Sequence, residues 1–245
     1  MTSLTTCADA EAAAVRAASE IARRLQSALR ERGVAHLALS GGTTPGRAYE
    51  LLAQELEDWR GVELWFADER CVGADDEESN YRLAHETLLG SASGLEDARV
   101  HRMEGELGPE LGAERYESSL RERAPLEDEL AVLDVIVLGI GPDGHVASLF
   151  PGSPTLDVQA PALCIGVHDS PKPPPERITL TLPVLRAARR CVLLATGAGK
   201  ADAVDAMLAE PSRHVPASLL RRGHLSVIVD DAASPEPPNP PAPAD

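Results

Sequence analysis

Apolar positions recur along this chain in two rhythms. From Ala10 to Arg32 they return at helical spacing, uninterrupted by Gly or Pro, with Val15, Ala18, Ile21, Ala22, Leu25 and Leu29 on the predicted inward face. Gly33 then stands where a helix-ending left-handed residue is expected. The second rhythm is a set of short, nearly continuous apolar runs at 35–39, 62–67, 133–138, 162–167, 190–196 and 225–229. Such runs predict strands buried on both faces, as in a parallel sheet. Residues 100–103 read as a weaker strand, and 177–182 alternate with period two, which predicts a half-exposed strand. Between them, helices are predicted at 46–56 (Tyr49, Leu52 and Leu56 inward), 79–89, 108–123 (Leu111, Tyr116 and Leu120 inward), 201–208 and 215–220. Residues 92–100 and 170–175 read as loops, the latter a rigid proline-rich one.

Strands alternate with helices, with no long linker and no internal repeat. The fold class expected is α/β: a single doubly wound, mostly parallel open sheet with helices on both faces, a Rossmann-like three-layer sandwich. One catalytic domain is expected over residues 1–231, and a disordered tail of Pro, Ala and acidic residues over 232–245.

Composition narrows the function. The 245 residues are 43% hydrophobic but only 3% aromatic, which predicts an aliphatic core. No apolar run approaches the roughly 20 residues of a membrane helix, and the start has no apolar signal segment. The four cysteines (Cys7, Cys71, Cys164, Cys191) are scattered without C-x-x-C spacing, so neither a metal site nor a disulfide framework is expected. A cytoplasmic location fits that pattern. A net charge of −16 argues against a nucleic-acid partner and means that any anion site must be built locally. Only two lysines occur, Lys172 and Lys200, and their scarcity singles them out.

Chemistry concentrates at three turns. The run LDVIVLG drives into Gly139-Ile140-Gly141-Pro142-Asp143-Gly144-His145, with a short helix predicted from there until Pro151 stops it. The glycines match G-x-G-x-x-G, but a dinucleotide reading fails. The fingerprint needs a full helix after the third glycine, Pro142 lacks an N–H, and Asp143 would face a diphosphate. A neutral His145 could take a proton from water, with Asp143 holding the imidazole or a ligand hydroxyl; alternatively Asp143 is a helix cap and His145 a packed residue. The turn Ser40-Gly41-Gly42-Thr43-Thr44-Pro45 offers close backbone approach, hydroxyls and helix-start N–H groups to an anion, or is an ordinary strand-to-helix turn. Asp68-Glu69-Arg70 ends a strand, as solvated surface or as a wall of the same crevice.

Four segments then carry a resemblance: LALSGGTTPGRAYELLA, VELWFADERCVGADDEESNYRLAHETLL, LDVIVLGIGPDGHVASLFPGSP and ERITLTLPVLRAARRCVLLATGAGKADAV. In this order, over most of residues 34–204, the chain resembles the 6-phosphogluconolactonase family. The resemblance implies hydrolysis of 6-phospho-D-glucono-1,5-lactone to 6-phosphogluconate in the oxidative pentose phosphate pathway, with no metal or organic cofactor. It implies that His145 activates water and that Asp143 and Asp68 line the sugar pocket. Ser40, Gly41, Gly42, Thr43, Arg177 and Lys200 are implied to receive the phosphate, with Arg70 serving the phosphate or the oxyanion. The partner expected is the phosphosugar lactone itself, with no nucleic acid or membrane, in a monomer or small homo-oligomer. Two departures stand out. Val146 replaces a common Thr, and Phe150 stands where related glucosamine-6-phosphate deaminases place a Glu, which weakens an amino-sugar isomerase or deaminase reading. A non-catalytic sugar-phosphate sensor is the other alternative, disfavoured by charge.

Overall fold

The computed structural model describes residues 2–90 and 98–235. Strand β1 (Thr2–Cys7) leads into α1 (Ala10–Arg32), β2 (Ala35–Leu39), α2 (Thr43–Glu55) and β3 (Val62–Phe66). A short strand β4 (Asp68–Arg70) precedes α3 (Asn80–Ala84), which widens into a π turn (His85–Leu89). Then come β5 (Arg99–Val100), α4 (Pro109–Arg123), a small hairpin of β6 (Leu126–Glu127) and β7 (Leu130–Ala131), and β8 (Val135–Gly139). The order closes with β9 (Cys164–Val167), β10 (Arg177–Leu180), α5 (Leu182–Ala187), β11 (Cys191–Ala195), α6 (Ala201–Leu208), α7 (Pro216–Leu219) and β12 (Leu225–Asp230).

Seven strands form one sheet in the order β1-β12-β11-β8-β2-β3-β5, and every neighbouring pair is parallel. From β2 the chain builds outward to β3 and β5, then returns to add β8, β11 and β12 on the other side of β2. The order therefore reverses between β2 and β8. Loops leaving the carboxyl ends of these two strands diverge and open a crevice, the place where open α/β sheets bind ligands.

The continuous apolar runs are buried as expected: every residue of β2, β3, β11 and β12 is buried, as are four of the five in β8. The core is not purely aliphatic, because Trp59, Trp65, Tyr49 and Phe66 are its largest fully buried side chains. Helix α1 begins at Asp9, whose carboxylate accepts the Ala12 N–H at 2.8 Å, and ends on Gly33 at φ +73°. Its buried face is rotated from the predicted one. Ala13, Ala14, Ala17, Ala18, Ile21, Ala22, Leu25 and Ala28 face inward, Leu29 is half-buried, and Val15 is 46% exposed. Small residues let the helix lie close against its neighbours, and that proximity outweighs the larger apolar surface of Val15. Leu111 on α4 is likewise exposed, because Gly112 and Ala113 make the close approach to β10 and β9.

Three further expectations change. Residues 2–7, assigned no element from sequence, form the edge strand β1 with half its residues exposed, so no apolar run announced it. No helix follows His145: Gly144 at φ +79° and Ala147 at φ +48° break any helical path, and Val146 and Leu149 bridge each other instead. Strand β10 is fully buried, not half-exposed, because it is the middle strand of a second, antiparallel sheet, β4-β10-β9. In that sheet Arg177 pairs with Arg70, and Thr179 with Asp68. Most of the predicted 92–100 loop and residues 236–245 of the predicted tail lie outside the described residues. Among the described residues no helix is long and apolar enough to cross a membrane.

Candidate active site

A cavity of about 240 Å³ occupies the crevice between the carboxyl ends of β2 and β8. The structure brings nine of the ten expected site residues to its wall: Ser40, Gly41, Gly42 and Thr43 after β2, Asp68 and Arg70 on β4, His145 after β8, Arg177 on β10 and Lys200 after β11. The tenth, Asp143, touches the imidazole without itself lining the cavity. Its Oδ1 lies 2.5 Å from His145 Nδ1.

That short contact fixes the tautomer. Asp143 accepts the Nδ1 proton, so Nε2 carries the lone pair of a neutral ring. Burial lowers the imidazole's affinity for a proton, Asp143 opposes this, and Lys172 reinforces it, leaving the net shift downward. For Asp143, burial acts upward but is outweighed by the His145 hydrogen bond and by the charges of His145 and Lys172, so its carboxyl stays below the usual range. The Phe150 ring packs on the imidazole at 4.8 Å between centroids. Gly141 makes this arrangement possible, since a Cβ there would lie 2.0 Å from His145 Nδ1 and 2.4 Å from Asp143 Oδ1.

At the end of β2, Tyr49 holds the turn: its hydroxyl donates to Ser40 O and accepts the Ser40 N–H, each at 2.9 Å. Helix α2 starts at Thr43, three residues earlier than its apolar pattern suggests, because Gly42 adopts φ +109° and turns the chain directly into it. The N–H groups of Thr43 and Thr44 therefore belong to a first helical turn, with no intrahelical acceptor. The expected close backbone approach is real. A Cβ on Gly41 would lie 2.0 Å from Asn80 Oδ1.

Asp68 is held from two sides, by Ser148 Oγ at 2.7 Å and Asn80 Nδ2 at 3.2 Å. Glu69, buried beside it, accepts backbone N–H groups of Arg70, Asn80 and Tyr81 at 2.7, 2.7 and 2.8 Å and ties β4 to the start of α3. Burial raises its pKa, while those three N–H groups pull it back. Arg70 donates one nitrogen to Glu78 O. Three polar atoms around the cavity are buried without a protein partner: Ser40 Oγ, Asn80 Oδ1 and Arg70 Nε. Buried polar groups are nearly always paired, so three on one cavity wall mark a surface built for a polar ligand. Lys200 donates to Ile140 O at 2.7 Å, and burial, then the Lys172 charge, lowers its pKa.

Among the residues outside the expected set that also line the cavity are Lys172 and Asn80. Lys172 reaches it from the proline loop, and its scarcity was the available signal. Asn80 reaches it from α3, and nothing in the sequence around it distinguishes it from a helix-start residue.

Residues 8–229 match the family model described as glucosamine-6-phosphate isomerases/6-phosphogluconolactonase. The chain belongs to this family. A 6-phosphogluconolactonase of Streptomyces coelicolor is 39% identical over 239 residues, covering 92% of this chain and 91% of the relative. A probable 6-phosphogluconolactonase of Schizosaccharomyces pombe is 36% identical over 230 residues, covering 87% and 88%. Among solved structures, the 6-phosphogluconolactonase of Trypanosoma brucei superposes with a TM-score of 0.84 at 28% identity, over 95% of this chain and 97% of that one. The two chains thus share their fold nearly end to end.

Proposed function

We propose that this protein hydrolyses 6-phospho-D-glucono-1,5-lactone to 6-phosphogluconate, with His145 as general base. The observation that carries the chemistry is the 2.5 Å Asp143–His145 contact at the wall of a cavity that also holds arginine, lysine and a glycine-rich helix start. His145 Nε2 takes a proton from water as the water oxygen adds to C1, and the carbonyl electrons move onto its oxygen. Arg70, with its buried Nε unpartnered, or a backbone N–H, stabilises that oxyanion. The C1–O5 bond then breaks, and the ring oxygen takes the proton back from the imidazolium. The new carboxylic acid ionises, releasing one proton per turnover. Thr43 and Thr44 N–H groups, Lys200 and the free Nη1 of Arg177 receive the phosphate, and Asp68 accepts from a sugar hydroxyl.

Phe150 supports the lactonase reading over amino-sugar deamination, because the residue packed on His145 cannot transfer a proton. A pH-stat assay on fresh lactone tests the proposal directly. Proton release above the spontaneous rate is expected from the wild type, with no ammonia from glucosamine 6-phosphate. His145→Ala is expected to lose about 10²- to 10⁴-fold in turnover. Wild-type turnover in that variant overturns the assignment.

A further inference from the structure

We propose that Arg177 is a positioning residue, whose guanidinium ties down the Lys172–Pro174 segment so that the Lys172 ammonium stands against the Asp143–His145 pair. Phosphate binding alone does not account for where its donors go. Nε donates to Pro174 O at 3.1 Å, and Nη2 donates to Pro173 O at 3.0 Å and Lys172 O at 3.2 Å. Only Nη1 is left for a ligand. The side chain is fixed in place, since Arg177 is only 5% exposed in the middle strand of the second sheet.

The segment it holds needs such a partner. Pro171, Pro173, Pro174 and Pro175 have no N–H, so this stretch can build little backbone hydrogen bonding of its own. Apart from Arg177, the fastening comes from Ser170, whose N–H reaches Pro175 O at 3.0 Å and whose Oγ donates to Lys172 O at 2.8 Å. Proline stiffness and three guanidinium contacts together aim one side chain. Lys172 Nζ ends 3.4 Å from Asp143 Oδ1 and 3.2 Å from His145 Nδ1. Because Nδ1 donates its proton to Asp143, the ammonium shares the carboxylate oxygen and does not bond the ring. The same guanidinium lies 5.8 Å over Phe150, the ring that packs on His145. Arg177 thus bears on the imidazole through two neighbours, Lys172 and Phe150.

A cation sharing Asp143 weakens that carboxylate's hold on an imidazolium and keeps Nε2 free to accept. The charged groups acting on His145 are Asp143, Lys172 and, at longer range, Asp68; Phe150 contributes an uncharged ring. Removing Lys172, or letting its loop drift, leaves burial without that cation to oppose Asp143 and Asp68 and makes the imidazole easier to protonate. The inference rests on His145 as the base, but its primary readout needs no substrate.

The test is a proton NMR titration of His145 in the full chain, its resonance assigned among the seven histidines by its loss in His145→Gln. Wild type, Lys172→Met, Arg177→Lys and the double variant are compared, each checked for a wild-type circular dichroism spectrum. Arg177→Lys keeps the charge but cannot span three carbonyls. The midpoint is expected to move to higher pH in both single variants and no further in the double, with the acid limb of kcat/KM following. An unchanged midpoint in Arg177→Lys, or shifts that add in the double variant, overturns the proposal. So does an unchanged midpoint in Lys172→Met, a change at a partly exposed side chain that guards against misfolding of the arginine variant. Absent lactone turnover with these shifts intact rejects the function and leaves the positioning role standing.

Discussion

Gly141 is the residue on which the proposed base depends most closely. It has no side chain because His145 and Asp143 occupy that space, so even one methyl group must push the imidazole away from its partner. Gly141→Ala is expected to lower kcat by about 10²-fold, the order of loss that follows roughly 1 Å of misplacement. Its melting temperature should fall little, because Asp143 and His145 can swing toward solvent; kinetics and a thermal melt on the same preparation check this. Lys200 belongs to the same scale. Its ammonium is anchored on Ile140 O beside the cavity, and the phosphate proposed to bind there would be met in ground and transition state alike. Lys200→Ala is expected to raise KM about tenfold or more with kcat largely kept, read from a full saturation curve.

Among elements, the three-stranded antiparallel sheet decides the site. Pairing β4 with β10 sets Arg70 opposite Arg177 and Asp68 opposite Thr179, and the β10 face away from the cavity packs on α4. The closest point of that packing is Gly112, where a Cβ would lie 2.4 Å from Ile178 Cδ1 and 3.0 Å from Glu104 O. Gly112→Ala is therefore expected to destabilise by about 1–3 kcal/mol, the usual cost of overpacking, and to lower activity through displacement of β10. Chemical denaturation gives the first number and the lactone assay the second. The same contact explains why the apolar pattern of α4 misleads at Leu111: a glycine, invisible to hydrophobic periodicity, marks the true inward face.

At the scale of the whole molecule, acid stability follows from buried groups far from the cavity. His36 is 4% exposed in β2, and its Nδ1 accepts the Trp65 Nε1–H at 3.1 Å, a bond that protonation of Nδ1 destroys. Burial lowers its pKa, with Asp134 and Glu63 opposing. The unfolded chain then binds a proton near pH 6.5 that the folded chain refuses, so stability is whole above that pH and declines as pH falls toward the lowered folded value. Melting temperature is expected to drop between about pH 7.5 and 5.5, and less steeply in His36→Gln, whose side-chain carbonyl can still accept from Trp65. Equal slopes in the two proteins would remove His36 from the account.

The sequence by itself determined most of the buried strands and helices and brought Asp143 and His145 together as a candidate pair. Continuous apolar runs mark strands buried on both faces, because burial is written into side-chain polarity one residue at a time. Asp143 and His145, two positions apart beyond such a run, meet through a turn whose glycines are equally visible. What only the tertiary structure decided is who else arrives. The β1 edge strand, the β4–β10 pairing that joins Arg70 to Arg177, the entry of Asn80, and the strap that carries Lys172 to Asp143 are contacts between distant segments. Their geometry depends on strand order and on where backbones approach one another, and neither leaves a periodic trace in the polarity of the residues involved.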